Sequence, residues 1–234
     1  MWTYLWIDLG AFVVPFLFSF HPRMRFDRQW HAAAPAILGM MVLFIPWDAW
    51  ATSRGIWGFN EEHLVGFTLL GLPIEEWLFF ICIPYACLFT YHCFKVLGVK
   101  DRLEPYVMAI TRTLLAASVL ISVFYAHQLY TCINFALLAF LLLMITLWSK
   151  PRWMGRAYFT YVVLLIPFLI VNGLLTGTGL ERPVVWYDEA HIWGARIATI
   201  PVEDVFYGLL MFLLTVVIYE ALVARKAARN GLSG

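Results

Sequence analysis

The sequence predicts an all-α integral membrane protein, with seven transmembrane helices arranged as two parallel three-helix repeats joined by one linker helix. Three observations lead there. The chain is 62% hydrophobic and 13% charged with a mean hydropathy of +0.78, well outside the range of soluble globular domains. Seven apolar runs, near 2–20, 32–50, 73–94, 106–126, 129–148, 157–176 and 201–224, have the ~17–25 residues of helix that cross a bilayer. A shift of 128 residues then lays one part of the chain on another.

The repeat sets the organisation. The shift aligns Pro73-Ile74-Glu75-Glu76 with Pro201-Val202-Glu203-Asp204, Gly66 with Gly194, His63 with His191, Glu61 with Glu189 and Asn60 with Asp188. Helices one to three fall on helices five to seven. The fourth helix is odd and crosses once, so both halves start on the same side of the membrane. The chain divides into a first repeat at 1–98, a linker helix at 99–128, and a second repeat with its cytoplasmic tail at 129–234.

Charge orients the bundle. Of the 16 Lys and Arg, twelve collect on one side: Arg23, Arg25, Arg28, Lys95, Lys100, Arg102, Lys150, Arg152, Arg156, Arg225, Lys226 and Arg229. The positive-inside rule makes that side cytoplasmic, with the N-terminus outside, in a multi-pass protein of the cell membrane. The run at 2–20 lacks a basic leader and a small-residue cleavage site, so it reads as a retained helix. A formal net charge of +1 with no basic face argues against nucleic-acid binding. Four cysteines inside apolar runs, without a CxxC pair, read as packing thiols.

The segments LPIEEWLFF at 72–80 and IPVEDVFY at 200–207 each put two carboxylates behind a proline at the head of an apolar helix. The proline is expected at the first helical position, with the acids in the first turn near free N–H groups and the positive end of the helix dipole. A good helix start explains this in a soluble protein. In a membrane, ionisable groups at depth are expensive and mark function, and here four recur at matching positions: Glu75, Glu76, Glu203 and Asp204.

Loops ahead of these helices add polar groups. Trp57 to His63 answers to Val185 to His191, so each half carries Asn60 or Asp188 and then a Glu-x-His, Glu61 with His63 and Glu189 with His191. Imidazole and carboxylate suit iron or zinc, but no HxxxH or HExxH is present and solvated interfacial residues are the simpler reading, so no metal is predicted. Asp48 and Asn172, near the ends of helices two and six, are better candidates for pocket polarity, since a buried acid needs a partner. Trp57, Phe79, Phe80 and Trp186 are among the aromatics flanking the acids. An interfacial aromatic belt accounts for some of them but not for the acids.

Several chemistries lack their residues. The glycine-rich stretch 173–182 fails GxGxxG and follows no strand. Helix seven has no mid-span lysine for a Schiff base, and neither a DDxxD magnesium element nor a Ser-His-Asp arrangement is present. Carboxylic acids beside aromatic faces remain, which suits protonation of an alkene and stabilisation of the resulting carbocation.

At residues 46–92, PWDAWATSRGIWGFNEEHLVGFTLLGLPIEEWLFFICIPYACLFTYH, and at 199–207, TIPVEDVFY, the chain closely resembles the small integral-membrane lycopene cyclases, whose hallmark is a repeated Pro-x-Glu-Glu/Asp motif. Some relatives split the two halves between subunits of a heterodimer; this chain resembles the fused form. The resemblance implies redox-neutral cyclisation of the ψ ends of lycopene to β-rings, through γ-carotene to β-carotene, with no flavin, no NAD(P)H and no metal. It carries function to Glu75, Glu76, Glu203 and Asp204, and implies a lycopene substrate within membrane lipid. Homo-oligomerisation, or association with other carotenoid enzymes, stays open, as does a non-enzymatic carrier or receptor for an apolar ligand. The first acid is Glu in both repeats whereas the second varies, so Glu75 and Glu203 are expected to handle protons with Glu76 and Asp204 in support.

The charge bias makes a topology prediction. A reporter fused after Gly234 should behave as cytoplasmic, and one inserted near Asn60 or Asp188 as external. A cytoplasmic signal from the Asn60 loop would break the seven-span arrangement.

Overall fold

The computed structural model describes residues 2–148 and 152–231; Lys150 of the basic loop and Gly234 lie outside them. The described residues form seven α-helices: α1 (Thr3–Phe18), α2 (Trp30–Ser53), α3 (Ile74–Val96), α4 (Val107–Phe124), α5 (Leu129–Trp148), α6 (Met154–Leu175) and α7 (Val202–Gly231). All but α1 are long and apolar enough to cross a membrane. The usual inside-out pattern is reversed, with Val42 71% and Phe124 77% exposed while Asp8, Glu75, Glu203 and Asp204 are buried. Water cannot be the solvent of that outer face.

Helix α1 has 16 residues, ~24 Å at 1.5 Å per residue, short of the ~30 Å hydrocarbon core. It stops two residues before the apolar run does, with Ser19 as a buried C-cap. The Ser19 N–H and hydroxyl both donate to Pro15 O, at 3.0 and 2.8 Å, and Ser19 Oγ lies 2.6 Å from the Tyr85 hydroxyl on α3. At the other end of the chain α7 runs on to Gly231, past the predicted 224, with Arg225, Lys226 and Arg229 on the helix; the ALVARKAAR stretch is built of strong helix formers.

Helix α1 packs along α3, and α5 along α7; α2 packs on α3 and α7, α3 also meets α6, and α4 covers α5. The main core lies between α2, α3, α5, α6 and α7, around Phe80, Leu88, Leu138, Leu142, Leu213 and Val216.

Six short strands recur at the 128-residue shift. β1 (Trp57–Phe59) pairs antiparallel with β4 (Val185–Tyr187), matching Trp57 with Tyr187 and Phe59 with Val185, so the loop of one half is clasped to that of the other. β2 (Thr68–Leu69) and β3 (Leu72–Pro73) form a hairpin, and β5 (Arg196–Ile197) with β6 (Ile200–Pro201) repeats it in the same register. Both hairpins turn on a non-glycine residue in the left-handed region, Leu70 at φ 54° and Ala198 at φ 55°. Ile74 N–H donates to Phe67 O at 2.9 Å and Val202 N–H to Ala195 O at 3.0 Å, closing each hairpin onto its helix.

Those hairpins correct the expected helix start. Pro73 is extended, at φ −62° and ψ 149°, and ends β3, so α3 begins at Ile74; likewise Pro201 ends β6 and α7 begins at Val202. The proline is held outside the helix by strand pairing. The carboxylates are therefore the second and third residues of each helix.

The clasp has a tight point at Gly58, where any Cβ would collide with the Trp186 indole. Gly58→Val should lower stability by about 1–3 kcal/mol, the usual cost of overpacking, read as a lower Tm of the purified protein. An unchanged Tm would mean that Trp186 is free to move aside.

Candidate active site

Carboxylates in the first turn of a helix ordinarily face their own helix's free N–H groups. Here the first acid of each pair reaches back to the loop instead. Glu75 Oε1 accepts from Val65 N–H at 2.5 Å, and Glu203 Oε1 accepts from Trp193 N–H at 2.5 Å, the equivalent position under the shift. The residue after each donor is glycine in a left-handed turn, Gly66 at φ 94° and Gly194 at φ 85°, which bends the chain back over the helix. Thr131 also donates to Glu203 Oε1 at 2.5 Å, and the Asn134 side chain donates to Glu203 O at 2.8 Å. Glu75 and Glu203 are both 0% exposed.

The second acid of each pair faces a cavity of about 840 Å³, within the ~300–1,000 Å³ of small-molecule sites. Glu76, Asp204 and Asp48 all line it, in a wall that is otherwise largely apolar and aromatic; Glu75 and Glu203 do not. Glu76 Oε2 accepts from the Tyr4 hydroxyl at 2.5 Å. Asp204 accepts three bonds: Tyr130 hydroxyl to Oδ1 at 2.7 Å, Asn172 Nδ2 to Oδ2 at 2.8 Å, and Tyr187 hydroxyl to Oδ2 at 2.9 Å. Burial, then the Asp204 charge, pushes the Tyr187 phenol well above its ordinary range, so it stays a donor. The Tyr207 hydroxyl lines the same cavity, buried and without a hydrogen-bond partner.

Aromatic rings enclose this end of the cavity. Trp57 and Tyr130 are 5.0 Å apart edge to face, Tyr130 stacks on Tyr187 at 5.9 Å, and Tyr130 meets Tyr207 at 6.1 Å. Ring faces at such spacing stabilise a cation by their quadrupoles without offering it a nucleophile. Carboxyl groups able to give and take a proton stand beside them. The arrangement can protonate an apolar substrate and hold the resulting charge.

The sequence candidates divide. Asp48, Asn172, Trp57 and Phe79 line the cavity with Glu76 and Asp204. Phe80 is packed in the core against Phe44, ring centroids 6.0 Å apart. Asn60 and Asp188 instead cap loop turns, accepting from Glu62 N–H at 3.1 Å and Ala190 N–H at 2.9 Å. His63 bridges the halves, with Nδ1 3.0 Å from Thr3 Oγ1 and Nε2 3.1 Å from Arg182 O. His191 lies 3.8 Å from Asp188, and its carbonyl accepts from Tyr130 N–H at 3.0 Å; Trp186 lies over Gly58. None of these five residues lines the cavity; Asn60, His63 and Asp188 brace the loops, and His191 Nδ1 is buried without a partner. Among the described residues no group of three or more His, Cys, Asp or Glu is placed to hold a metal ion.

Sequence reasoning passes over Tyr4, Tyr130 and Asp8. Asp8 is 0% exposed in α1 with both oxygens unpartnered, and an acid inside an apolar run is itself a signal. The repeat comparison misses it because position 136 is alanine, just as Tyr4 answers to Cys132.

Removing the staple acid should test its role. Glu203→Ala strands the Trp193 N–H and the Thr131 hydroxyl in a buried site, so the expected loss is about 1–3 kcal/mol of stability per unsatisfied group. Glu203→Gln keeps an accepting oxygen and should lose less. Thermal melting of both variants checks the order; equal, negligible losses would remove the staple role.

The family model for lycopene cyclase matches residues 1–94 and 127–222, leaving out the stretch that holds α4. Two curated relatives are similar over shorter stretches. A protein of Neurospora crassa named bifunctional lycopene cyclase/phytoene synthase is 38% identical over 51 residues, 22% of this chain and 8% of that protein. One of the same name from Aspergillus oryzae is 30% identical over 95 residues, 40% of this chain and 16% of its own length. No solved structure matches. With most of its length matched, and both carboxylate motifs inside the matched regions, the chain belongs to the lycopene cyclase family.

Proposed function

We propose that this protein is a lycopene β-cyclase that closes the ψ ends of lycopene to β-rings by acid–base chemistry alone. The observation that supports this best is that the second carboxylate of each motif opens on one apolar, aromatic-walled cavity. In the reaction a carboxylic acid adds a proton to C2 of the ψ end, leaving a cation at C1. The C5=C6 pair attacks C1, the C1–C6 bond forms and the charge moves to C5. A carboxylate then takes the C6 proton, and the electrons of that C–H bond become the ring's C5=C6 bond. One proton enters and one leaves, and no electrons are exchanged with a cofactor.

Geometry distributes the parts. Three donors on Asp204 suit a group that works as a carboxylate, so Asp204 is the base. Glu76 has one donor, Tyr4, and shares the cavity wall with Asp48, which keeps one oxygen unpartnered. Two carboxyl groups sharing an apolar cavity retain a proton between them, so the Glu76–Asp48 pair is the acid. Trp57, Tyr130, Tyr187 and Tyr207 surround the cation. Glu75 and Glu203, expected from side-chain length to handle protons, are positioning residues that fix the loops carrying Trp57 and Tyr187.

Two experiments test this. Glu76→Gln and Asp204→Asn should each lower ring formation by ~100- to 10,000-fold, with lycopene-accumulating cells staying red rather than turning orange. Ordinary turnover in both would remove the assignment. Purified protein in lipid should cyclise lycopene with a chelator present and no NADPH, and in heavy water each ring should gain one deuterium, at C2. A strict requirement for reductant or metal, or a ring without the label, would overturn the mechanism.

A further inference from the structure

The cavity extends well beyond the acids. Along α3 its lining runs from Glu76 to Thr90, ~21 Å at 1.5 Å per residue, and along α1 from Thr3 to Pro15. The third wall is α6, and where α1 and α6 flank the cavity its lining residues reach the outer surface: Trp6 is 65% exposed, Ile170 63%, and Gly10 is exposed too. In a bilayer that face meets lipid tails. The cavity is a slot with acids at one end and a side open between two helices.

Gly10 stands in that opening, and a Cβ there would meet nothing within 4 Å. The equivalent position of the second half, Leu138, is fully buried, and α5 is covered by α4. The odd helix and a leucine thus fill on one side what a glycine leaves open on the other.

We infer that the slot between α1 and α6 admits the polyene chain of an acyclic carotenoid sideways from the lipid, seats it along α3 with one ψ end at Glu76 and Asp204, and has its width set by Gly10. The ligand's identity rests on the cyclase reading above; the slot itself rests on the shape and lining of the cavity. A hydrocarbon chain gains nothing by crossing water, so a lipid-facing opening is the low-cost route. Only one set of acids lies on the slot, so the second ring forms after the substrate leaves and returns by its other end.

The test measures lycopene binding to the full-length protein in lipid nanodiscs, in a Glu76→Gln background expected to slow turnover, and cyclisation rates in the native background. Gly10→Phe should weaken binding and turnover at least about tenfold, because a ring there occupies the opening that Gly10 leaves free. Ile170→Trp, on the opposite lip, should do likewise and guards against misfolding of the first variant. Val14→Phe should stay within about twofold, since Val14 is 58% exposed on α1 but is not part of the lining. Ring formation undiminished in both blocking variants would overturn the slot and keep the cyclase. Losses as large in Val14→Phe would also overturn it, as a general effect of bulk on α1. Gly10-dependent binding without ring formation in the native protein would keep the slot and overturn the cyclase, and neither binding nor rings would overturn both.

Discussion

A carboxylate inside a lipid-bound bundle is costly to bury, and donors from the protein offset that cost. That constraint shapes the motif end of this molecule. Glu75 and Glu203 take backbone N–H groups from residues ten positions upstream, and each such bond pins a loop across its own helix. The pinned loops meet as β1 and β4, which carry Trp57 and Tyr187 into the cavity wall. The roof of the site is therefore a consequence of where two buried acids find hydrogen bonds.

The two halves share this scaffold but not the chemistry hung on it. Asp204 is held by Tyr187 and Asn172, while the equivalent positions around Glu76 are Phe59 and Phe44, which can donate nothing. Asp48 is added near Glu76 where the second half has Thr176. Divergence at these few positions leaves Asp204 with three donors and Glu76 with one.

Composition, helix positions and the 128-residue repeat were legible because each is a property of residue type and spacing. The strands and hairpins were not, since two- and three-residue ladders leave no periodicity. They turn on Leu70 and Ala198 in a conformation that sequence assigns to glycine. The motif acids were visible, but which of each pair faces the cavity was not. Adjacent residues on a helix point about 100° apart, and only the loop that captures Glu75 or Glu203 decides which way is in. Side-chain length points to Glu75 and Glu203 as the proton-handling pair, whereas the acids on the cavity are Glu76 and Asp204. His63 and His191 were pocket candidates for the same reason, as sequence shows their presence and not the Thr3, Arg182 and Asp188 atoms that lie against them outside the cavity. Tyr4 and Tyr130 escaped because tyrosines at helix ends in a membrane protein are ordinarily a belt.

Cation chemistry adds a demand that the architecture meets in one stroke. A carbocation in contact with water is captured as an alcohol before it can close a ring, so the site must be dry as well as acidic. Aromatic faces supply negative potential without a lone pair that would bond to the cation, and the hydroxyls of Tyr130 and Tyr187 are turned to Asp204 as donors. An opening toward lipid admits a hydrocarbon while exposing the cavity to no more water than the bilayer itself holds. On the proposed reaction, the acids at one end and the apolar slot at the other are thus two parts of one solution, in which the membrane would deliver the substrate and exclude the competing nucleophile.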